Sequence, residues 1–492
     1  MAEHASWQLG IEGFSYADLY DPHRLADLAA AFDRHVEARD PGLLREFDAY
    51  RACQGEGMAP EQVSDLLVRM APHLGDFVAR LFHIEDARRR RMAKVVDEVR
   101  TVLRYRDAIV TKAAPKRFKR EKVTDWDVAE LDARFQTLLE ALTDDRDDRE
   151  RAVAELALRL AELHEEAERL AENGDVSPLE ARLAPLRARL ESHPGAAKRF
   201  AELLTAAPVA FVEALYDLAL RWTFAAARHP ELQRRVAGWI AFKTPARTDV
   251  NHLVPHSLVD RGVYRAWAAP EGRHRRRDGF HLTDARYRNL RPVLYEVDHC
   301  IYCHERDTDS CAKGMRDKKK GGYKTGPFGN PVTGCPLEEK ISEMHWVKRQ
   351  GDDIGALALI MVDNPMCPGT GHRICNECMK GCIYQKTEPV NIPEIETNVL
   401  TDVLHLPYGF EVYSLLTRWN PLNVRRPYML PYNGKNVLVV GMGPAGYTLA
   451  HYLANEGFGV VGIDGLKIEP LPSELVGDLN TPPQPIEDFD RL

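Results

Sequence analysis

The chain has 492 residues, 44% hydrophobic and 28% charged, with a formal net charge of −8; this balance is ordinary for a globular protein and argues against binding nucleic acid along the whole chain. No run approaches the ~18 apolar residues that cross a bilayer, and the opening MAEHASWQLG lacks the basic-then-apolar layout of an export signal. The expectation is a cytoplasmic protein without a membrane span, with room for about three domains at ~150 residues each.

Residues 1–240 read as almost entirely helical and are expected to form a scaffold or docking domain. In ERAVAELALRLAELHEEAERLAENG, Val153, Leu156, Leu160, Leu163, Ala167 and Leu170 recur at three- and four-residue steps, a stripe suited to packing on another helix. Asn173 and Gly174 then supply a stop. Phe211, Leu215, Leu218 and Trp222 repeat the pattern, with Pro230 just beyond. No acid, base and nucleophile group together here, so the stripes read as core. Basic runs at 88–91, 116–122 and 273–277 are crowded by acidic residues and read as solvated helix faces or loops. From 241 to 297 the periodicity is lost, and an irregular connection is expected. Its histidines, His252, His256, His274 and His281, lack the spacing of a metal site.

Cys53 stands alone, and the other eight cysteines fall between Cys300 and Cys382. In a large chain without an export signal such clustering points to metal ligation rather than a disulfide framework. The pieces are DHCIYCHERDTDSCAKG, NPVTGCPLEEK and NPMCPGTGHRICNECMKGCIYQ, carrying Cys300, Cys303, Cys311, Cys335, Cys367, Cys375, Cys378 and Cys382. Two chemistries compete. Zinc takes four Cys or His around one ion, commonly as two CxxC pairs, which Cys300/Cys303 and Cys375/Cys378 would supply. A cubane iron–sulfur cluster takes one thiolate on each of four irons, three from a compact loop and a fourth from a distant cysteine followed by proline. Cys335–Pro336 suits the second, since proline starts a helix and turns the chain away from the metal. The eight cysteines also divide into two sets of four. On spacing alone zinc stays open.

Near the end, GMGPAG lies between the strand pattern KNVLVV and a helix pattern, the context that a GxGxxG fingerprint requires. Gly441 permits the tight turn, Gly443 admits a pyrophosphate, and Gly446 lets the helix pack on the sheet, with Pro444 and Ala445 completing the turn. Asp464, 18 residues after Gly446, stands where an acid bonds a ribose hydroxyl. Residues 434–470 are therefore expected to form the first βαβ unit of an FAD-binding fold, and 471–492 an acidic, Pro-rich tail.

Taken together, CxxC…C…GCPL…NP…C…C…C…PVNI…IE followed by VLVVGMGPAG resembles the iron–sulfur domain of the small subunit of NADPH-dependent glutamate synthase. The equivalent region of dihydropyrimidine dehydrogenase is similar. The resemblance covers about 295–465, a third of the chain. It implies a helical two-[4Fe–4S] domain over 298–420; with the N-terminal helical domain read from periodicity and the incomplete Rossmann-like βαβ unit, the expected architecture is mainly α. It further implies that Cys300, Cys303 and Cys311 hold one cluster with Cys382 as fourth ligand, and that Cys335, Cys375 and Cys378 hold the other. The eighth ligand is either Glu396, in PEIET, or Cys367.

Two departures bear on Cys311: seven residues separate it from Cys303, where the family is tighter, and 23 separate it from Cys335. The longer insertion contains MRDKKKGGYKTG, read as an exposed loop or as a docking patch for an acidic partner. The implied function is electron relay between FAD and an acceptor in an NAD(P)H-linked oxidoreductase. Its partners would be the remaining flavin and nicotinamide domains, or a partner subunit that supplies them, and an electron-acceptor subunit; no nucleic acid is expected. One βαβ unit does not complete an FAD site, so the chain is expected to be the front of a longer polypeptide or to take the missing strands from a partner. The alternative reading is a zinc-stabilised helical adaptor with a vestigial nucleotide fold.

Overall fold

The computed structural model describes residues 7–144, 147–245, 247, 249, 256–268, 289–306, 308–370, 374–465, 471–478 and 481–491. It is mainly α, 62% helix and 6% strand. Two units form, one from residues 1–95 together with 245–492 and the other from residues 96–244.

The first unit opens with α1 (Pro22–Glu37), α2 (Pro41–Cys53), α3 (Pro60–Leu81) and α4 (Glu85–Glu98), of which residues up to Val95 belong here. Proline at the first turn and an aspartate cap recur: Asp21 accepts from His23 N, and Asp40 from Leu43 N.

The second unit contains α5 (Val128–Leu142), α6 (Arg149–Glu172), α7 (Ser177–Ser192) and α8 (Pro208–Ala226). Val153, Leu156, Leu160, Leu163 and Ala167 of α6 are buried, as are Phe211, Leu215, Leu218 and Trp222 of α8. Both sequence stripes are thus core. Trp222 stacks on Phe135 with ring centroids 4.3 Å apart, and its indole N–H donates to Asp132 at 2.9 Å. Helix α6 stops at Glu172, and Gly174 takes a φ of 77°.

The first unit resumes with a hairpin, β1 (Ser257–Asp260) antiparallel to β2 (Arg265–Ala268), where the sequence suggests only an irregular connection. His256 packs edge-on against Trp267; His252, His274 and His281 lie outside the described residues. Then come α9 (Leu290–His299), α10 (Ile341–Arg349), α11 (Asp353–Asp363), α12 (Ile392–Leu404) and α13 (Gly409–Arg418). Helix α11 is the centre of this core. Every residue from Asp353 to Met361 is buried, as an all-round apolar helix demands. It meets α3 at close range: a Cβ on Gly75 would stand 2.5 Å from an Asp352 carboxylate oxygen, and one on Gly355 2.8 Å from Ala71 O. Residues 1–240, one helical region in the sequence reading, therefore divide between two cores, with α1–α3 sharing theirs with the cysteine-bearing helices.

The chain continues with β3 (Asn436–Val440), α14 (Pro444–Asn455) and β4 (Gly459–Ile463), the two strands parallel and registered Val440 to Ile463. This is one βαβ unit. Among the described residues after 471, the only regular elements are two short helical segments, Ser473–Val476 and Phe489–Arg491.

Candidate metal centre

Helix α9 ends at His299 and hands Cys300 to the CIYC turn, where Tyr302 adopts a left-handed φ of 50° and its N–H donates to Cys300 Sγ at 3.4 Å. The short helix Ser310–Lys313 carries Cys311, whose thiol donates to Asp309 at 3.1 Å. Three glycines then let chains touch backbone to backbone. A Cβ on Gly334 would lie 2.5 Å from Gly314 N, and one on Gly381 2.5 Å from Ser310 O. The result is Cys335 N donating to Cys311 O at 2.8 Å, and Gly381, next to Cys382, packing on Ser310 and Cys311. The segment after Cys382 is fixed to α9 by His299, whose ring stacks on Tyr384 at 4.5 Å and whose Nε2 lies 2.9 Å from Glu388 O.

Gly334 has both a φ of 79° and no room for a side chain, whereas Gly329, at 83°, faces open space. Gly334→Ala should lower the urea midpoint by the equivalent of about 2–3 kcal/mol, against about 1 kcal/mol for Gly329→Ala.

The thiols fall into two electrostatic neighbourhoods. Burial, with repulsion from Cys303 and Cys382, pushes Cys300 up to about 12. Burial pushes Cys311 well up, and Asp309, Cys300 and Cys303 add to it. The second neighbourhood holds Cys335, pushed up to about 11 by burial and then by Glu339, with Cys375 a smaller contributor. Cys378 is raised by burial and then by Cys335, Glu339, Cys375 and Glu396. Cys367, also raised by burial, is repelled by Glu396 and Glu339. Cys300 thus feels Cys303 and Cys382, Cys378 feels Cys335 and the exposed Cys375, and Cys367 and Glu396 both feel Glu339.

Glu339 was not legible as a site residue. The helix suggested directly after Pro336 begins at Ile341, following a turn in which Glu338 takes a φ of 52°, and this turn buries Glu339 beneath the second thiol set. Burial, then Asp363, lifts the Glu339 carboxyl to about 7, and burial, then Glu339, lifts Glu396 well above its ordinary value. Asn364, at the end of α11, serves both carboxylates: its Nδ2 donates to Glu396 at 3.1 Å and its side chain bonds Glu339. Thr370 Oγ1 donates to Asn364 Oδ1 at 2.6 Å, which fixes the amide.

Buried thiols and carboxylates that repel one another are a donor set suited to a cation, since a bound cation reverses the sign of every one of these shifts. Backbone N–H groups also aim at sulfur, from Leu337 and Glu339 to Cys335 and from Tyr384 and Val390 to Cys382. Such bonds tune iron–sulfur potentials. No three His, Cys, Asp or Glu among the described residues sit as close as one ion's coordination shell. Partly or fully buried thiols with backbone N–H groups on sulfur are donors that an iron–sulfur cluster takes, and that zinc takes also.

At the glycine turn, Gly441 has a φ of 93° and Gly443 caps α14 in extended backbone. A Cβ on Gly446 would collide with Gly441 O, so close helix–strand packing depends on it. Asp464 reaches the turn, accepting from Met442 N at 2.6 Å. Pro444 and Ala445 form the first turn of α14, whose free N–H groups suit a pyrophosphate.

Residues 9–83 match the RP005 N-terminal alpha-helical domain, which takes in α1, α2 and α3. The chain is 58% identical over 106 residues to "Uncharacterized protein RP006" of Rickettsia prowazekii (strain Madrid E), covering 22% of this chain and 15% of that protein. It is 43% identical over 68 residues to "Uncharacterized protein RP005" of the same organism, covering 13% of this chain and 23% of that one. The chain thus spans under a quarter of the length of either relative. No solved structure matches.

Proposed function

We propose that this chain is the iron–sulfur, electron-transferring portion of an FAD-dependent, NAD(P)H-linked oxidoreductase resembling the glutamate synthase small subunit, working in the cytoplasm. The observation that carries this reading is the meeting of separated cysteine segments: Cys335 N donates to Cys311 O at 2.8 Å, Gly381, next to Cys382, packs on Ser310 O, and every cysteine from Cys300 to Cys382 is at least partly buried except Cys375, which is exposed. Cys300, Cys303, Cys311 and Cys382 would hold one [4Fe–4S] cluster, and Cys335, Cys375, Cys378 and Glu396 the other. Glu396 is favoured over Cys367 because the clamp from Asn364 orients its carboxylate. The clusters supply one-electron transfer; the chain supplies burial, hydrogen bonds to sulfur and one oxygen ligand, which set the two potentials apart.

The turn at Gly441, Gly443 and Gly446 would take the FAD pyrophosphate, with Asp464 bracing the loop. The two-stranded sheet leaves Leu438, Val440, Val461 and Ile463 exposed. This apolar surface is where further flavin-fold strands, in the same polypeptide or a partner subunit, would pack.

Oxygen-free purification of the full chain tests the reading by analysis. The expected product is brown, with about eight iron and eight sulfide per chain. A colourless protein carrying stoichiometric zinc would instead establish the adaptor.

Asn364→Ala removes the clamp on both buried carboxylates. Iron and the reduced-state paramagnetic signal should fall at the Cys335/Cys375/Cys378 site while the other cluster's signal keeps its full intensity. Equal losses at both sites would assign Asn364 a purely structural role.

A further inference from the structure

The lysine-rich insertion is not an irregular loop. It leaves Cys311 and returns to Cys335 as a hairpin arm: Met315 N donates to Val332 O at 3.0 Å, Lys324 N to Met315 O at 2.8 Å, and Val332 N to Lys324 O at 2.9 Å. The tip is pre-set. Asp317 accepts from the backbone N–H groups of Lys319 and Lys320 at 2.9 and 3.1 Å, and Gly321 and Gly322 take φ values of 73° and 69°. Arg316 is held over the Tyr323 ring at 4.1 Å. Lys318, Lys319 and Lys320 are exposed and, among the described residues, pair with no carboxylate. From Lys313 to Lys324, ends included, there are six cations and one acid, on a chain whose net charge is −8. The next turn along the arm presents Phe328, 67% exposed.

We infer that this arm is the docking surface for an acidic protein partner, which it holds beside the thiol groups. The inference rests on the electron-transfer reading for what the partner does, but not for its binding. A group of like charges on one backbone-fixed turn, with an exposed aromatic ring on the next turn of the same arm, is the composition of an interface anchor with an electrostatic rim. Both roots of the arm are cysteine-bearing, Cys311 and Cys335, and they are joined by Cys335 N donating to Cys311 O, so the arm ties a docked protein to that segment. The occupant is protein rather than nucleic acid because the cationic patch is short. A long polyanion extending past it would meet the net negative charge of the rest of the chain.

The test measures binding of the full chain to flavodoxin, an acidic electron-carrier protein used as probe, by calorimetry at low salt. The variant Lys318→Glu/Lys319→Glu/Lys320→Glu alters only exposed side chains, and its circular dichroism should be unchanged. Flavodoxin should bind the wild type about tenfold or more tightly than the variant, and the difference should shrink as salt is added. Equal affinities, no binding at low salt, or tighter wild-type binding to polyuridine than to flavodoxin would each overturn the inference. Iron is counted on the same preparations. Charge-dependent binding without iron would leave the docking arm standing and remove the electron-transfer reading; full iron with charge-independent binding would do the reverse.

Discussion

Lys348→Met should cost about 3–5 kcal/mol of stability, because it strips the cation from a buried ionic network. Lys348 is fully buried on α10, and its Nζ lies 2.6 Å from both Asp353 on α11 and Asp402 on α12. Arg91 on α4 adds Nε at 3.1 Å to Asp353 and a second contact to Asp402. Next to it, Arg88 bonds Asp352, the cap of α11, at 3.1 Å. With Lys348 gone, two nearly solvent-free carboxylates share the single guanidinium of Arg91. Urea denaturation of the metal-free chain reads the loss without interference from iron. The compensated variant Lys348→Met/Asp402→Leu should recover more than half of it, since removing a buried pair is far less costly than orphaning one partner. A loss below about 1 kcal/mol in the single variant would mean that the pair is effectively solvated. The consequence for the site is direct, because α12 carries Glu396 and α11 ends in Asn364.

Cys382→Ser should remove about half of the iron, and so should Cys300→Ser. The informative results are the double variants. If Cys382 completes the set of Cys300, Cys303 and Cys311, then Cys300→Ser/Cys382→Ser loses no more iron than either single change. Cys378→Ser/Cys382→Ser, which touches both sets, should leave almost none. The electrostatic coupling of Cys300 to Cys303 and Cys382, and of Cys378 to Cys335 and Cys375, motivates this non-additivity. A double variant at Cys300 and Cys382 that loses all of its iron would contradict the partition.

Much of this organisation was legible in the residues. The stripes on α6 and α8 announced buried faces because a helix repeats every 3.6 residues whatever covers it. The βαβ unit was legible because its glycines answer local demands, Gly441 for a positive φ and Gly446 for close packing. What periodicity does not encode is the partner. Leu66, Leu67, Met70 and Leu74 mark a buried face on α3, yet nothing in their spacing says that α11 packs against α3 rather than α6 or α8. Glu339 and Asn364 were missed for the same reason: their significance lies in a contact with Glu396, and a glutamate in LEEK reads as surface. The hairpin at Ser257–Ala268 escaped notice because an isolated pair of short, exposed strands lacks the buried alternation that reveals a sheet.

The most direct test of the central claim is low-temperature electron paramagnetic resonance of the anaerobically purified chain before and after dithionite. Two convergent thiolate sites holding cubane clusters give a protein silent as isolated and, once reduced, two half-integer-spin signals that broaden each other; zinc occupancy with no signal after reduction would contradict the account.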